Sequence, residues 1–393
     1  MDPDTPRPRH ILPVIVFSQF AGTSLWFAGN AVLPDLERQW GLGAETLGWM
    51  TSAVQLGFIS GTLIFAVCMI SDRYSPRKLF LVSSLAGAFV NSLLVIVPHG
   101  LVSLLLLRFC TGFFLAGIYP IGMKIASGWY EKGLGSALGF LVGALVLGTA
   151  FPHLLKGNLH SARWENVVLS VSCLSAIGGT LMFMFVPDGP YLSKGTVFNV
   201  QSLASILRRD ELRSAAFGYF GHMWELYAFY AFLPVFLSAY VAEYHFDGPN
   251  LSLLTFCIIA AGSIGCAGGG LLSKTVGSSK VASVQLACSG ICCCISAVMF
   301  RMPPAIFFPF LALWGMTVVG DSPQFSTLSA RYAPRENIGS VLTIINCIGF
   351  SITIASIQLL SFLTPIITPR YLFLFLIPGP VLGLLAMKRI WTS

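Results

Sequence analysis

An all-α integral membrane protein, twelve transmembrane helices arranged as two pseudo-symmetric six-helix bundles, is the fold class that three features of this sequence predict. Of its 393 residues, 55% are hydrophobic and only 10% charged, whereas a soluble domain carries roughly 25% charged residues. Apolar runs longer than the roughly 18 residues needed to cross a bilayer recur along the whole chain. Landmarks in the first half also return in the second at offsets of 200 to 204 residues. Such a composition cannot cover a water-exposed surface, so the lipid bilayer is the expected solvent and partner.

The runs predict spans over 11–34, 47–70, 78–97, 101–125, 134–155, 166–187, 214–241, 251–273, 280–301, 304–328, 338–362 and 369–391. The longest break, Asp188 to Arg213, divides them six and six. The expected organisation is therefore a bundle over 1–188, a cytoplasmic linker over 189–213 and a second bundle over 214–393. Residues Ser202 to Arg213 read as a short amphipathic helix on the membrane surface. The segment from Met1 to His10 is short and polar, and no cleaved signal is expected ahead of the first span.

An even number of spans puts both termini on one side. The N-terminus and the loops on that side hold seventeen Lys and Arg (Arg7, Arg9, Arg73, Arg77, Lys78, Lys124, Lys132, Lys194, Arg208, Arg209, Arg213, Lys274, Lys280, Arg331, Arg335, Lys388 and Arg389), and the opposite loops hold five. The positive-inside bias predicts cytoplasmic termini. The net charge of +7 thus reflects orientation, and no nucleic-acid partner is expected. Trp40, Trp49, Trp129, Trp164 and Trp391 fall near span ends, as interfacial anchors do.

All ten cysteines lie in or beside apolar runs without metal-type spacing. Even Cys292-Cys293-Cys294 cannot close one site, because consecutive helix positions point about 100° apart. No metal and no cofactor are expected. Phosphate-binding Gly-Lys-Ser/Thr loops, nucleophile elbows and His-Glu-x-x-His pairs are missing, so the chain does not read as an enzyme or an ATP-driven pump.

The internal repeat is specific. Span one ends Asn30-Ala-Val-Leu33-Pro34 and span seven Tyr230-Ala-Phe-Leu233-Pro234; Gly117-Ile-Tyr-Pro120 is answered by Gly320-Asp-Ser-Pro323, and Gly135-Ser136-Ala137-Leu138 by Gly339-Ser340-Val341-Leu342. Matching landmarks in one order indicate a parallel duplication.

With six plus six spans, a central break and the loop Cys68-Met-Ile-Ser-Asp72-Arg73-Tyr-Ser-Pro76-Arg77-Lys78, the chain resembles the major facilitator superfamily over essentially its whole length. That family's loop signature is roughly Gly-x-x-x-Asp-Arg-x-Gly-Arg-Lys; Cys68 replaces the first Gly, and Ser75-Pro76 replace the second with one extra residue. A span-four signature, Arg-x-x-Gln-Gly, is similar to Arg108-Phe-Cys-Thr111-Gly112, and the Gly-Pro pair of antiporters is missing from span five. Within the superfamily the chain looks nearest to bacterial anion, nitrate and cyanate-like porters, although the nitrate signature is missing. The resemblance implies a multi-pass protein of the inner membrane, functional as a monomer. It implies a small-molecule solute carried by alternating access through a cavity lined by spans one, four, seven and ten, and a role for Asp72, Arg73, Arg77 and Lys78 in gating.

Among the sixteen carboxylates, only Glu225 and Asp321 fall well inside spans. An ionisable group near the bilayer centre costs roughly 2.5–3.5 kcal/mol, so it is a functional candidate by default. Glu225 lies nine residues before Pro234, with His222 one turn back, and is the expected proton-coupling site; the alternative is a neutral, hydrogen-bonded Glu that fastens span seven. Asp321, with Gln324 at i+3, either gates the inner side or marks a helix break at Pro323. Arg108 is the one cation inside a span. It can hold an anionic solute in fork geometry, neutralise a carboxylate such as Glu225, or serve proton transfer. Gln19, Gly22 or Thr23, Trp26 and Asn30 recur on one face of span one. With Tyr119, Tyr219, Trp224 and Gln324 they are candidate solute contacts, set against simple helix packing. The leading expectation is a proton-coupled carrier of a small anionic solute. An uncoupled facilitator and a non-transporting scaffold or sensor are the alternatives.

Overall fold

A computed structural model describes residues 8–97, 100–130, 134–158, 163–192, 198–245 and 250–391; of the basic residues counted above, Arg7, Lys132 and Lys194 lie outside them. Twelve helices are long and apolar enough to span a bilayer. In the first half they are span 1 (Ile11–Trp40), span 2 (Thr46–Val67), span 3 (Pro76–Val95), span 4 (Leu101–Trp129), span 5 (Gly135–Asn158) and span 6 (Trp164–Phe185). In the second they are span 7 (Asp210–Tyr244), span 8 (Leu251–Val276), span 9 (Ser278–Met299), span 10 (Pro304–Tyr332), span 11 (Ile338–Leu363) and span 12 (Pro369–Met387).

The amphipathic segment is shorter than the sequence suggests. Its helix runs Ser202–Arg208, Arg209 is extended, and span 7 begins at Asp210. An acidic first turn, Asp210 and Glu211, suits the positive end of the helix dipole and moves the start of span 7 forward.

Glycines decide which spans touch. A side chain on Gly112 would strike the Val54 carbonyl, and one on Gly61 the Phe113 carbonyl, so spans 2 and 4 pack backbone to backbone. In the second half Gly315 meets the Ile258 carbonyl and Gly265 the Met316 carbonyl, which seats span 8 on span 10. Each pair is shifted by 203 or 204 residues from its counterpart. The duplication therefore extends from loop landmarks to individual close contacts. A methyl group at Gly112 or Gly315 is expected to cost about 1–3 kcal/mol of overpacking. Thermal unfolding in detergent should show both alanine variants lowered and Gly135→Ala unchanged, because nothing lies within 4 Å of a Cβ at Gly135.

Spans 1, 4 and 10 are broken between two α-helical halves, and span 12 passes from a 3-10 helix, Pro369–Leu376, to an α-helix, Pro378–Met387. Span 1 is helical over Ile11–Thr23 and Ala28–Trp40 with turns between, span 4 over Leu101–Leu115 and Tyr119–Trp129, and span 10 over Pro304–Gly320 and Ser322–Tyr332. Pro120 and Pro323 account for the last two. Proline has no N–H for the preceding turn and clashes with the carbonyl four residues back. In span 1 the hydroxyls of Thr23 and Ser24 donate to the carbonyls of Gln19 and Ala21 at 2.7 and 2.6 Å. Such back-bonding bends helices.

The two bundles meet along spans 5 and 8, where Gly139 approaches the Cys266 carbonyl and Gly143 the Ser263 carbonyl. They also meet along spans 2 and 11, where Gln358 Nε2 donates to Ser52 Oγ at 2.8 Å. On the side opposite the termini, Asn250 Nδ2 donates to the Gly157 carbonyl at 2.6 Å. Two of the expected interfacial tryptophans are internal instead. Trp129 is buried and donates to the Pro187 carbonyl at 2.9 Å, and buried Trp164 donates to Gln39 at 2.7 Å. Trp49 and Trp391 are exposed.

Candidate functional site

Three ionisable side chains converge inside the second bundle. His222, Glu225 and Asp321 are each 0% exposed. The one-turn spacing on span 7 suggests a His222–Glu225 pair. The structure instead turns His222 toward the break in span 10, where its Nδ1 lies 2.8 Å from Asp321 Oδ1. The helix break allows this, because Asp321 sits between the two half-helices and faces span 7. Glu225 looks toward span 9: its Oε2 accepts from Ser289 Oγ at 2.8 Å and from Cys293 Sγ at 3.4 Å. Trp314 Nε1 on span 10 donates to Ser289 Oγ at 3.1 Å, completing a chain from indole to hydroxyl to carboxylate. Asp321 remains within electrostatic reach of Glu225 and Tyr230. Glu225 Oε1, Asp321 Oδ2 and His222 Nε2 have no hydrogen-bond partner among the described residues. Two carboxyls and one imidazole thus share a fully buried site, where an unpaired charge is costly.

Ser289 and Cys293 are absent from the sequence-derived candidates. The signal for them is the i, i+4 spacing of two small polar side chains on an apolar span, which places them on one face. Within the cysteine run Cys293 is the one that bonds Glu225, Cys292 is buried and Cys294 is exposed.

Arg108 is also 0% exposed, in the first bundle. Its Nη1 donates to Asn91 Oδ1 at 3.0 Å, and its Nη2 to the carbonyls of Leu25 (2.9 Å) and Trp26. Those carbonyls are the ones freed by the break in span 1, so the guanidinium caps an interrupted helix. Asn91 is held in turn by the Val168 carbonyl and Ser172. The partner of Arg108 is thus not Glu225, and no carboxylate lies within 4 Å of it among the described residues.

Between the bundles lies a seam of aromatic rings. Trp26 stacks on Tyr227 and on Phe350, each at 5.6 Å, and packs on Phe58 at 4.9 Å; Phe58 reaches Phe350 at 4.5 Å and Tyr119 at 6.5 Å. Spans 1, 2, 4, 7 and 11 therefore meet at one place. Phe58, Tyr227 and Phe350 are missed by a reading that looks for polar residues on spans 1, 4, 7 and 10. The stripe Ser52, Gln55 and Phe58, three residues apart, carries the signal on span 2. Trp26 Nε1 and both amide atoms of Gln55 have no hydrogen-bond partner among the described residues.

The remaining candidates are distributed. Tyr219 packs on His222 (5.9 Å) and Phe325 (6.4 Å), beside the titratable cluster. Asn30 is tied to Thr51 at 2.8 Å, and Gln324 is buried on the inner half of span 10. Trp224 turns away from the seam and donates to the Phe375 carbonyl on span 12 at 3.1 Å, about 100° round the helix from Glu225. In the loop after span 2, Asp72 pairs with Lys124, which also donates to the Ser71 carbonyl at 2.7 Å; Ser75 donates to Asp188 at 3.0 Å, and Arg77 lies over the Phe183 ring. These contacts lie within the first bundle. Arg73 and Lys78 are exposed.

Two six-span bundles with broken helices meeting at a central seam have the architecture of a secondary transporter. The chain belongs to the Major Facilitator Superfamily, whose family model matches residues 15–357. It is 27% identical over 299 residues to the uncharacterized MFS-type transporter YceJ of Bacillus subtilis, covering 73% of this chain and 70% of that one. It is 25% identical over 169 residues to the putative niacin/nicotinamide transporter NiaP of the same organism, 40% of this chain and 39% of that one. Its fold is similar to the crystal structure of the human organic anion transporter MFSD10 (TETRAN), with a TM-score of 0.73 at 12% identity over 98% of this chain and 100% of that one.

Proposed function

We propose that this transporter carries a small, flat, anionic solute through the seam between its bundles, and that proton transfer at the Glu225–His222–Asp321 cluster drives the movement. One observation carries the reading: charge is divided between the bundles. The first buries a guanidinium with no carboxylate within 4 Å among the described residues, and the second buries two carboxyls with one imidazole. An uncompensated positive charge in a low-dielectric interior favours an anion nearby, and its field acts through Trp26 without direct contact. The faces of Tyr227 and Phe350, each stacked on Trp26, suit a planar body. Sequence resemblance to anion porters and the relative named for niacin and nicotinamide point the same way.

In this mechanism the solute parts the ring stack and the bundles rock about it. Tyr230, on the seam and within reach of Asp321, links solute occupancy to the proton cluster. Alternating access then follows from which side of the stack opens. Among heteroaromatic acids, their amides, sugars and amino acids, thermal-shift screening should find stabilisation by the aromatic acids through linkage. Stabilisation by sugars alone would refute the solute class.

The seventeen-to-five bias of Lys and Arg supports an inner-membrane protein with both termini cytoplasmic. A cysteine at Arg9 should react with an impermeant maleimide only after the cytoplasmic side is opened. Labelling of intact cells would invert the topology.

A further inference from the structure

On the side of the termini, spans 7 and 12 part around a groove of about 600 Å³. Arg213, Lys388 and Arg389 stand at its mouth, and Phe217, Leu385 and Ala386 line it one turn deeper. The two levels differ in chemistry. Phe217 is 44% and Leu385 65% exposed, so their surfaces face hydrocarbon. Of the three cations, Arg213 and Arg389 both bond Asp210, Arg213 at 2.6 Å, and Arg213 also donates to the Leu207 carbonyl. Among the described residues one carboxylate, Asp210, thus pairs with two of the three cations. The groove ends where the two spans become inseparable: Gly218 lies against Met387, and Gly221 against Gly379 and Gly383. His222 and Glu225 follow on the next turn of span 7.

We infer that this groove binds one anionic phospholipid, with the phosphodiester at Arg213, Lys388 and Arg389 and an acyl chain over Phe217 and Leu385. Charge complementarity selects the head group, and the apolar floor selects a lipid over a free phosphate, which would leave that floor bare. Basic pockets between spans are a recurrent means of holding such head groups. The bound lipid bridges the bases of spans 7 and 12 and steadies the helix that carries the proton cluster.

The test uses full-length protein in a neutral detergent, with lipid retention followed by native mass spectrometry and stability by thermal unfolding. Phosphatidylglycerol should stay bound and raise the Tm; phosphatidylcholine of the same chains and soluble glycerol phosphate should do neither. Lys388→Gln with Arg389→Gln should weaken phosphatidylglycerol binding ~30-fold. The same loss of charge on the opposite side, Arg163→Gln with Arg301→Gln, should leave binding intact. If the double variant does not fold, exposed Lys388→Gln alone gives a smaller shift in the same direction. Equal stabilisation by glycerol phosphate would overturn the lipid assignment. So would retention in the groove variants, or an equal loss in the control pair.

Discussion

Replacing Arg108 with alanine is expected to cost this protein its fold, a larger effect than any other single substitution considered. The guanidinium serves the Asn91 side chain and the carbonyls of Leu25 and Trp26, and is itself 0% exposed. Its removal leaves three buried acceptors unpaired at roughly 1–3 kcal/mol each. It also frees the break in span 1 that sets Trp26 against Tyr227. Purified Arg108→Ala should therefore elute as aggregate or unfold far below wild type. Arg108→Lys keeps the charge but not the fork, so it should fold with reduced stability. An alanine variant as stable as wild type would show that the span 1 break holds itself.

Glu225→Gln should separate folding from coupling. Glutamine keeps an oxygen for the Ser289 hydroxyl and the Cys293 thiol, so the packing of spans 7 and 9 should survive. It removes a titrating group from the cluster. In proteoliposomes the variant should lose pH-gradient-driven accumulation to the level of empty vesicles while downhill exchange persists. Asp321→Asn should act in the same direction, because it leaves His222 without its carboxylate. A Glu225→Gln variant that still concentrates solute would reduce Glu225 to a helix fastener.

Much of this architecture was legible because bilayer thickness writes itself into the chain. Each span needs a long apolar run, so span number, the six-plus-six division and the duplication could be read directly. The break at Pro323 was legible from the proline itself. Partnerships across helices were not. The spacing of His222 and Glu225 was read correctly as one turn, yet the pairing went to Asp321 because tertiary approach outweighs neighbourhood along a helix. Arg108 reads from the sequence as a candidate anion contact, and its hydrogen bonds to Asn91 and to the carbonyls of Leu25 and Trp26 have no signature in the sequence. Trp224 was chosen for its depth, and depth does not say which face of span 7 looks inward. The aromatic seam was missed in part because Phe58 and Phe350 look like ordinary lipid-facing residues until two bundles are laid together.

The central claim is that solute movement and proton movement are one event. Its most direct measurement is the internal pH of sealed proteoliposomes holding wild-type protein and a pH dye, with no imposed gradient, after adding a solute identified by the thermal screen. The account predicts a solute-dependent pH change that is abolished in Glu225→Gln although solute still equilibrates. Solute entry by the wild type with internal pH unchanged would contradict it and make this protein a facilitator.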